Sequence, residues 1–407
     1  MFNRKITLLF ISLLSLFTLA SCITNESNKN IVVENDSEIL ASRVLYTSKA
    51  IEIVDSSNSN KPIQAPKKED TLLTLVAEVD PPSYDGTTLQ ATEVIIKGNK
   101  AYVSYNVAGE TMLGAIEVFD ITKEDNPKLI SSIILTDTDV NGITVHGSDL
   151  YFAGASTTLH AMLAKMKMSA GKLTDDITTI DLPGFAGTDV DISGNFVYAT
   201  SGDNAGISIL NKSDLSLFSY HVVDDARGVD VDNDGVAVVY GTDAGIITFD
   251  QNSGVLQNDF PLSGATISES KSTVEVKKGK AILALGDGGT QIVCMSTGEI
   301  IDSIAIPVVV GLDASKAVTN SATAYKTALF MSNGEAGAYM ALAETSFSNN
   351  DCDIENLTML GKLQFGDEQS VNHILFRNNN LFVASGTGGL KILNVSLTTD
   401  KEDDDDE

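Results

Sequence analysis

The sequence predicts an all-β fold, a seven-bladed β-propeller of four-stranded blades, and three observations predict it. A fifteen-residue pattern recurs seven times, and its starts lie roughly 40 to 50 residues apart, the spacing of blades that each supply four strands. Apolar residues alternate at period two in short runs between Gly, Asn and Asp turns, with no long run of helical period. The seventh copy runs out after its third strand, while an unassigned apolar strand, TLLTLVAEV at 71–79, stands near the other end of the chain.

The copies begin as TEVIIKGNKAYVSYN from Thr92, NGITVHGSDLYFAGA from Asn141, TDVDISGNFVYATSG from Thr188 and RGVDVDNDGVAVVYG from Arg227. They continue as STVEVKKGKAILALG from Ser272, the degenerate SATAYKTALFMSNG from Ser321, and NHILFRNNNLFVASG from Asn372. The third and fifth positions are apolar, such as Val94 with Ile96 and Val229 with Val231, so both fall on one face of a first strand. A four-residue turn and a second apolar strand follow, then a third strand such as AIEVFDI or GIITFD. The fourth is more polar, as an outer edge should be. Closing the last blade with 71–79 removes the open seam, so the propeller domain is 71–397. A count of six or eight blades is the alternative, because the sixth copy is irregular.

Before the body, Arg4 and Lys5 precede an apolar run from Ile6 to Leu19 that is too short to span a bilayer, so 1–21 reads as a signal peptide. Leu19-Ala20-Ser21-Cys22 resembles the lipobox of bacterial lipoproteins. The resemblance implies cleavage before Cys22, acylation of that cysteine and a membrane anchor made of several lipid chains. Ile23, standing where an aspartate would suggest inner-membrane retention, implies sorting to the bacterial outer membrane, facing either periplasm or surface. Residues 22–70 are expected to be a flexible tether rich in Asn, Ser, Glu and Lys. One piece inside it, RVLYTSKAIEIVD, is more apolar and is not placed by the pattern. The tail at 398–407, ending KEDDDDE, reads as a solvated acidic end.

Two blades carry a closer likeness. GAIEVFDITKEDNPKLISSI and GTDVDISGNFVYATSGDNAGISILN resemble LVIVD-repeat β-propellers, which share a V-x-V strand, a G-N turn, a YVA strand and an N-P near the blade end. Asn126 and Pro127 match that last element in the first blade only. The resemblance implies a fold, with no shared catalytic motif to carry over.

A net charge of −28 argues against nucleic acid and against electrostatic adhesion to anionic lipid. Besides Cys22 the chain has only Cys294 and Cys352. An exported compartment permits a disulfide between them, their spacing does not require one, and two buried thiols is the plainer expectation.

Two acidic patterns are candidate sites. Asp230, Asp232, Asp234 and Gly235 spell D-x-D-x-D-G, the opening of many calcium loops. The same residues occupy the hairpin-turn column of the repeat, and the twelfth position, where a calcium loop needs a bidentate carboxylate, is Gly241. A turn is therefore expected, with calcium at Asp230, Asp232 and Asp234 as the alternative and no other cofactor. Separately, Glu93, Asp189, Asp191, Asp230 and Glu275 lie on first strands, which line a propeller's channel, with His373 close by. Together they are a candidate channel-mouth site for a cation or cationic ligand, or are hydrogen-bonded to neighbouring blades.

The expected function is a lipid-anchored, non-enzymatic binding module that meets an envelope protein or small ligand, most simply as a monomer. The inserts at 107–114, 154–161 and 345–356 are its candidate contact loops. The alternative is a lactonase-like hydrolase using a channel metal, although no spacing singles out a nucleophile or base.

Overall fold

The computed structural model describes residues 30–54, 71–123, 125–241, 244–267, 270–350, 352–366 and 370–397. The expected signal peptide, Cys22 and the acidic tail lie outside them.

Seven antiparallel sheets of four or five strands form a seven-bladed β-propeller. The innermost strands are Gln90–Lys97, Thr138–His146, Gly187–Ser193, Ala226–Asp232, Val274–Lys277, Ser321–Tyr325 and His373–Arg377. Each touches the innermost strands of both neighbours, which closes the ring. The degenerate sixth copy makes a regular blade, with Ser321–Tyr325, Ala328–Ser332, Ala338–Leu342 and Thr358–Leu363 in order.

Burial follows from strand alternation. The seven hydrophobic clusters of the body correspond to the seven interfaces between blades. Within the second strand of blade one, Ala101, Val103 and Tyr105 pack toward blade seven, while Tyr102 packs toward blade two. Every blade is thus apolar on both faces and needs two neighbours, which is why the architecture is a closed ring.

Blade seven closes as the repeat requires. Leu390–Leu397 pairs antiparallel with Thr71–Val79, from Leu390 opposite Val79 to Leu397 opposite Thr71. The expected tether, however, contains ordered structure. Ile31–Glu34 adds a fifth strand to blade one against Lys128–Leu135, and Val44–Ala50 adds one to blade seven against Thr71–Val79. Ile53–Val54 adds a third, on blade six against Thr358–Leu363. A short helix, Ser37–Ala41, turns the arm between the first two, capped by the Asp36 carboxylate and anchored by buried Leu40. The physical reason is edge pairing: each short run satisfies the open backbone groups of an outer strand and covers apolar surface beneath.

Cys294 and Cys352 are joined in a disulfide rather than left as two buried thiols. It fastens the 345–356 insert of blade six to the third strand of blade five.

Candidate functional site

A central cavity of about 530 Å³ runs between the innermost strands. Alternation gives these strands two channel-facing layers. The first holds Glu93, Asp189, Ser321 and His373, and the second holds Ile95, Thr144, Asp191, Asp230, Glu275, Thr323 and Leu375. The structure therefore brings the five predicted acids and His373 to one cavity, which all six line.

The geometry assigns the acids a task. An innermost strand has no partner on its channel side, so its inward amides need acceptors. Glu93 Oε2 accepts from the Ile143 amide of blade two at 3.1 Å, and Asp189 Oδ2 accepts from Val229 of blade four at 3.0 Å. Asp191 Oδ2 takes the Val231 amide at 3.0 Å, Asp230 Oδ2 takes Val276 at 2.6 Å, and Glu275 Oε2 takes Ala324 at 2.9 Å. In blade six two hydroxyls replace the acids. Ser321 Oγ accepts from Ile374 at 2.7 Å and Thr323 Oγ1 from Phe376 at 3.3 Å. One rule covers all seven contacts: a polar side chain on one blade accepts from the next residue position of the following blade. A hydrogen bond to a neutral acceptor contributes about 0.5–1.5 kcal/mol and one to an ionised carboxylate about 1.5–3, so the hydroxyl clasps of blade six are the weaker ones.

Sequence reasoning located the acids but missed Ser321, Thr323 and Lys271. The two hydroxyls share columns with the acids, and that alignment was the available signal. Lys271 lies one residue before the fifth copy and reaches across the channel. Its ammonium stands 3.3 Å from Glu93 Oε2 and donates to the Asn141 carbonyl at 2.9 Å. The cation facing the first acidic layer is thus the chain's own lysine.

Burial sets the protonation of the group. Glu93 titrates above the usual carboxylate range because it is desolvated, even with Lys271 and the Ile143 amide opposing. Asp189 is raised well above that range by burial and then by the charge of Glu93. Burial pushes Asp191 up to about 6, and it raises Asp230 well above its ordinary value, with Asp191 adding repulsion. His373 is pushed well below its ordinary value by burial and by Lys271, so its imidazole is neutral. Its Nδ1 is buried and makes no hydrogen bond among the described residues.

The D-x-D-x-D-G stretch is divided among three separate contacts. Asp230 faces the channel and serves Val276. Asp232 Oδ1 accepts from the Asp234 amide at 2.5 Å, and Asp234 Oδ2 accepts from the Gly279 amide of blade five at 3.0 Å. The hairpin also departs from its six counterparts, which place positive φ on the first turn residue, as at Gly98, Gly147 and Asn378. Here neither Asn233 nor Asp234 has positive φ, and Gly235 has φ +145°. The bond from Asp232 back to the Asp234 amide fixes this alternative turn. Among the described residues, no group of three or more His, Cys, Asp or Glu side chains is arranged to hold a metal ion.

A scan against protein-family models returns no match, and a search of curated proteins returns none. Among solved structures, the chain is similar to the computationally designed Ika8 protein at 12% identity, over 84% of this chain and 99% of that one, with a TM-score of 0.49.

Proposed function

We propose that this chain is a non-enzymatic interaction module held at the bacterial outer membrane through a lipid on Cys22, and that it binds an envelope protein by strand addition at its rim. The observation that carries this reading is the uneven rim. The arm covers the outer edges of blades one, six and seven, while Ile177–Asp181, Leu217–Val222, Leu256–Pro261 and Ile300–Ile304 of blades two to five have no fifth strand among the described residues. The chain adds strands to its own outer edges three times, so these edges are competent to receive one, and main-chain hydrogen bonding supplies the affinity. Leu217 is 60% exposed and Val222 is 82% exposed on the open edge of blade three, which gives an incoming strand apolar side chains to meet. The channel acids act as clasps between blades, which assigns them to architecture.

The test is crosslinking of the tagged full chain on intact cells, followed by mass spectrometry. A stoichiometric partner that is retained by wild type and lost in a Leu217→Lys, Val222→Lys variant of unchanged stability supports the reading. Equal capture by that variant, or no partner at all, overturns it. Release of a Cys22→Ala variant from the membrane fraction checks the anchor separately.

A further inference from the structure

We propose that the propeller lies flat on the bilayer that holds its anchor, with one defined face inward and Phe185, Val308 and Val310 seated among the lipid headgroups. The proposal deepens the function proposed above and rests on its Cys22 anchor, not on the rim contact.

Topology defines the face. In every blade the four antiparallel strands run in chain order. The connection from each outer strand to the next innermost strand therefore emerges on one side of the disc, and the hairpins that follow the innermost strands emerge on the other. The arm enters on the connection side. Ile31 pairs with Leu135, the last residue of blade one's fourth strand. Beyond it the Asn30 carbonyl accepts from the Thr136 amide at 2.9 Å, and Asn30 Nδ2 donates to Asp137 Oδ2 at 2.7 Å.

That entry point limits the reach of the anchor. Cys22 and Asn30 are eight residue steps apart, which span about 28 Å at full extension. The strand Lys128–Leu135 has eight residues and is itself about 27 Å tall. A lipid on Cys22 could bring the opposite face to the bilayer only with nearly all of that length laid along the blade. With the connection face inward, the same residues reach the membrane with slack.

The apolar surface points the same way, independently of the arm. Val308 and Val310 are each 85% exposed and Phe185 is 68% exposed, all on connections of this face. Among the described residues no large apolar side chain on the opposite face is as exposed. Both loops are held firmly. Ile306, Val309 and Leu312 pack into the core between blades five and six, which leaves Val308 and Val310 facing outward, and Phe185 stacks on His160 at 5.8 Å. Phe185 joins blade two to blade three and the valines join five to six, three blade steps away in a ring of seven. The two tips and the arm entry at blade one make three separated supports, so the disc rests on its face rather than on its rim. Asp203, Asp224, Asp287 and Asp313 are exposed on the same face. The attraction is therefore apolar, and a headgroup layer without net charge suits it.

The chain contains no tryptophan, so a single introduced one is a unique reporter. The experiment takes full chains carrying Phe185→Trp, Val310→Trp, Val255→Trp or Leu45→Trp, purified from membranes. They are reconstituted in vesicles of phosphatidylcholine and phosphatidylethanolamine, with and without brominated lipid. Val255 reports the opposite face and Leu45 the rim, and the mass of the N-terminal peptide reports acylation of Cys22. We expect quenching at 185 and 310 about threefold or more stronger than at 255 and 45. Val310→Trp keeps the test valid if Phe185→Trp disturbs the stack on His160. An acylated chain quenched equally at all four positions, or more strongly at 255 or 45, overturns the orientation and leaves the anchor standing. A chain without acyl groups on Cys22 overturns the anchor and the orientation with it.

Discussion

Arg43 grips Glu117 with two nitrogens, Nη1 to Oε1 at 2.5 Å and Nη2 to Oε2 at 3.1 Å, and so ties the N-terminal arm to the third strand of blade one. Arg43 also donates to the Asp80 carbonyl, beside the strand that closes blade seven. The pair thus bridges the interface between blades seven and one. There the inner clasp is absent among the described residues, since His373 and Leu375 occupy the acceptor columns; blade two, with Gly142 and Thr144 there, lacks it too, but Thr144 donates to Asp191 of blade three instead. The Tyr46 hydroxyl adds a second outer tie, to the Pro127 carbonyl at 2.8 Å.

Replacing Arg43 with Ala leaves the Glu117 carboxylate fully buried and without its cation. We expect a loss of about 3 kcal/mol or more, because removing one partner of a buried pair strands the other. Urea unfolding of the two proteins measures it. A change below about 1 kcal/mol would show that the seam does not depend on the arm.

Gly142 makes room for Asp189. A Cβ at position 142 would lie 2.3 Å from Asp189 Oδ1 and 2.5 Å from its Cα. Gly142→Ala is therefore expected to push Asp189 off the Val229 amide and to cost about 1–3 kcal/mol, read as a lower melting temperature. A similar substitution at Gly279, whose Cβ position is open, costs only the strain of its positive φ of +74°.

The channel acids make stability depend on pH. Asp191 titrates at about 6 in the folded protein, above its ordinary 3.8, so the native state binds the proton more tightly than the unfolded chain. That contribution is full below pH 3.8 and is lost as pH rises through about 6. His373 works in the opposite sense, since its lowered value disfavours the native state below its ordinary 6.5. Comparing wild type with Asp191→Asn isolates the carboxylate. Between pH 4 and 7.5 the wild type should lose about 1–3 kcal/mol more than the variant, discounted for the part of the side chain open to the channel. Parallel urea midpoints across that range would contradict the assignment.

Reduction of the Cys294–Cys352 bridge releases a loop whose ends are 58 residues apart. A loss of about 4 kcal/mol is expected on chain-entropy grounds, with blade six as the part that loosens. Unfolding with and without reductant, alongside a Cys294→Ser, Cys352→Ser variant, tests it. Equal midpoints under all three conditions would refute it.

The blades were legible because each carries its own signature: two alternating strands and a turn lie within fifteen residues. The arm was not. Ile31–Glu34 has only four residues, its outward side chains stay exposed, and its partner at 128–135 lies far along the chain. The more apolar RVLYTSKAIEIVD run gave a hint of the strands at Val44–Ala50 and Ile53–Val54, but without a repeat to align it. The channel acids were found by column, yet their partners are backbone amides, and an amide leaves no mark in a sequence. The disulfide was equally silent, since it joins an insert to a neighbouring blade and follows no recurring spacing.

The closure of blade seven has a consequence for how the molecule is made. Lys391 meets Glu78 at 2.7 Å across 313 residues of chain, and the strands around them pair along their whole length. Thr71–Val79 leaves the ribosome long before its partner exists, so an apolar strand must wait with one edge unpaired while six blades are synthesised. Such non-local pairing is slow and leaves the nascent chain open to aggregation. Loss of the last strand by truncation would leave this early one without a mate, and the ring would stand as an open arc with two sticky ends.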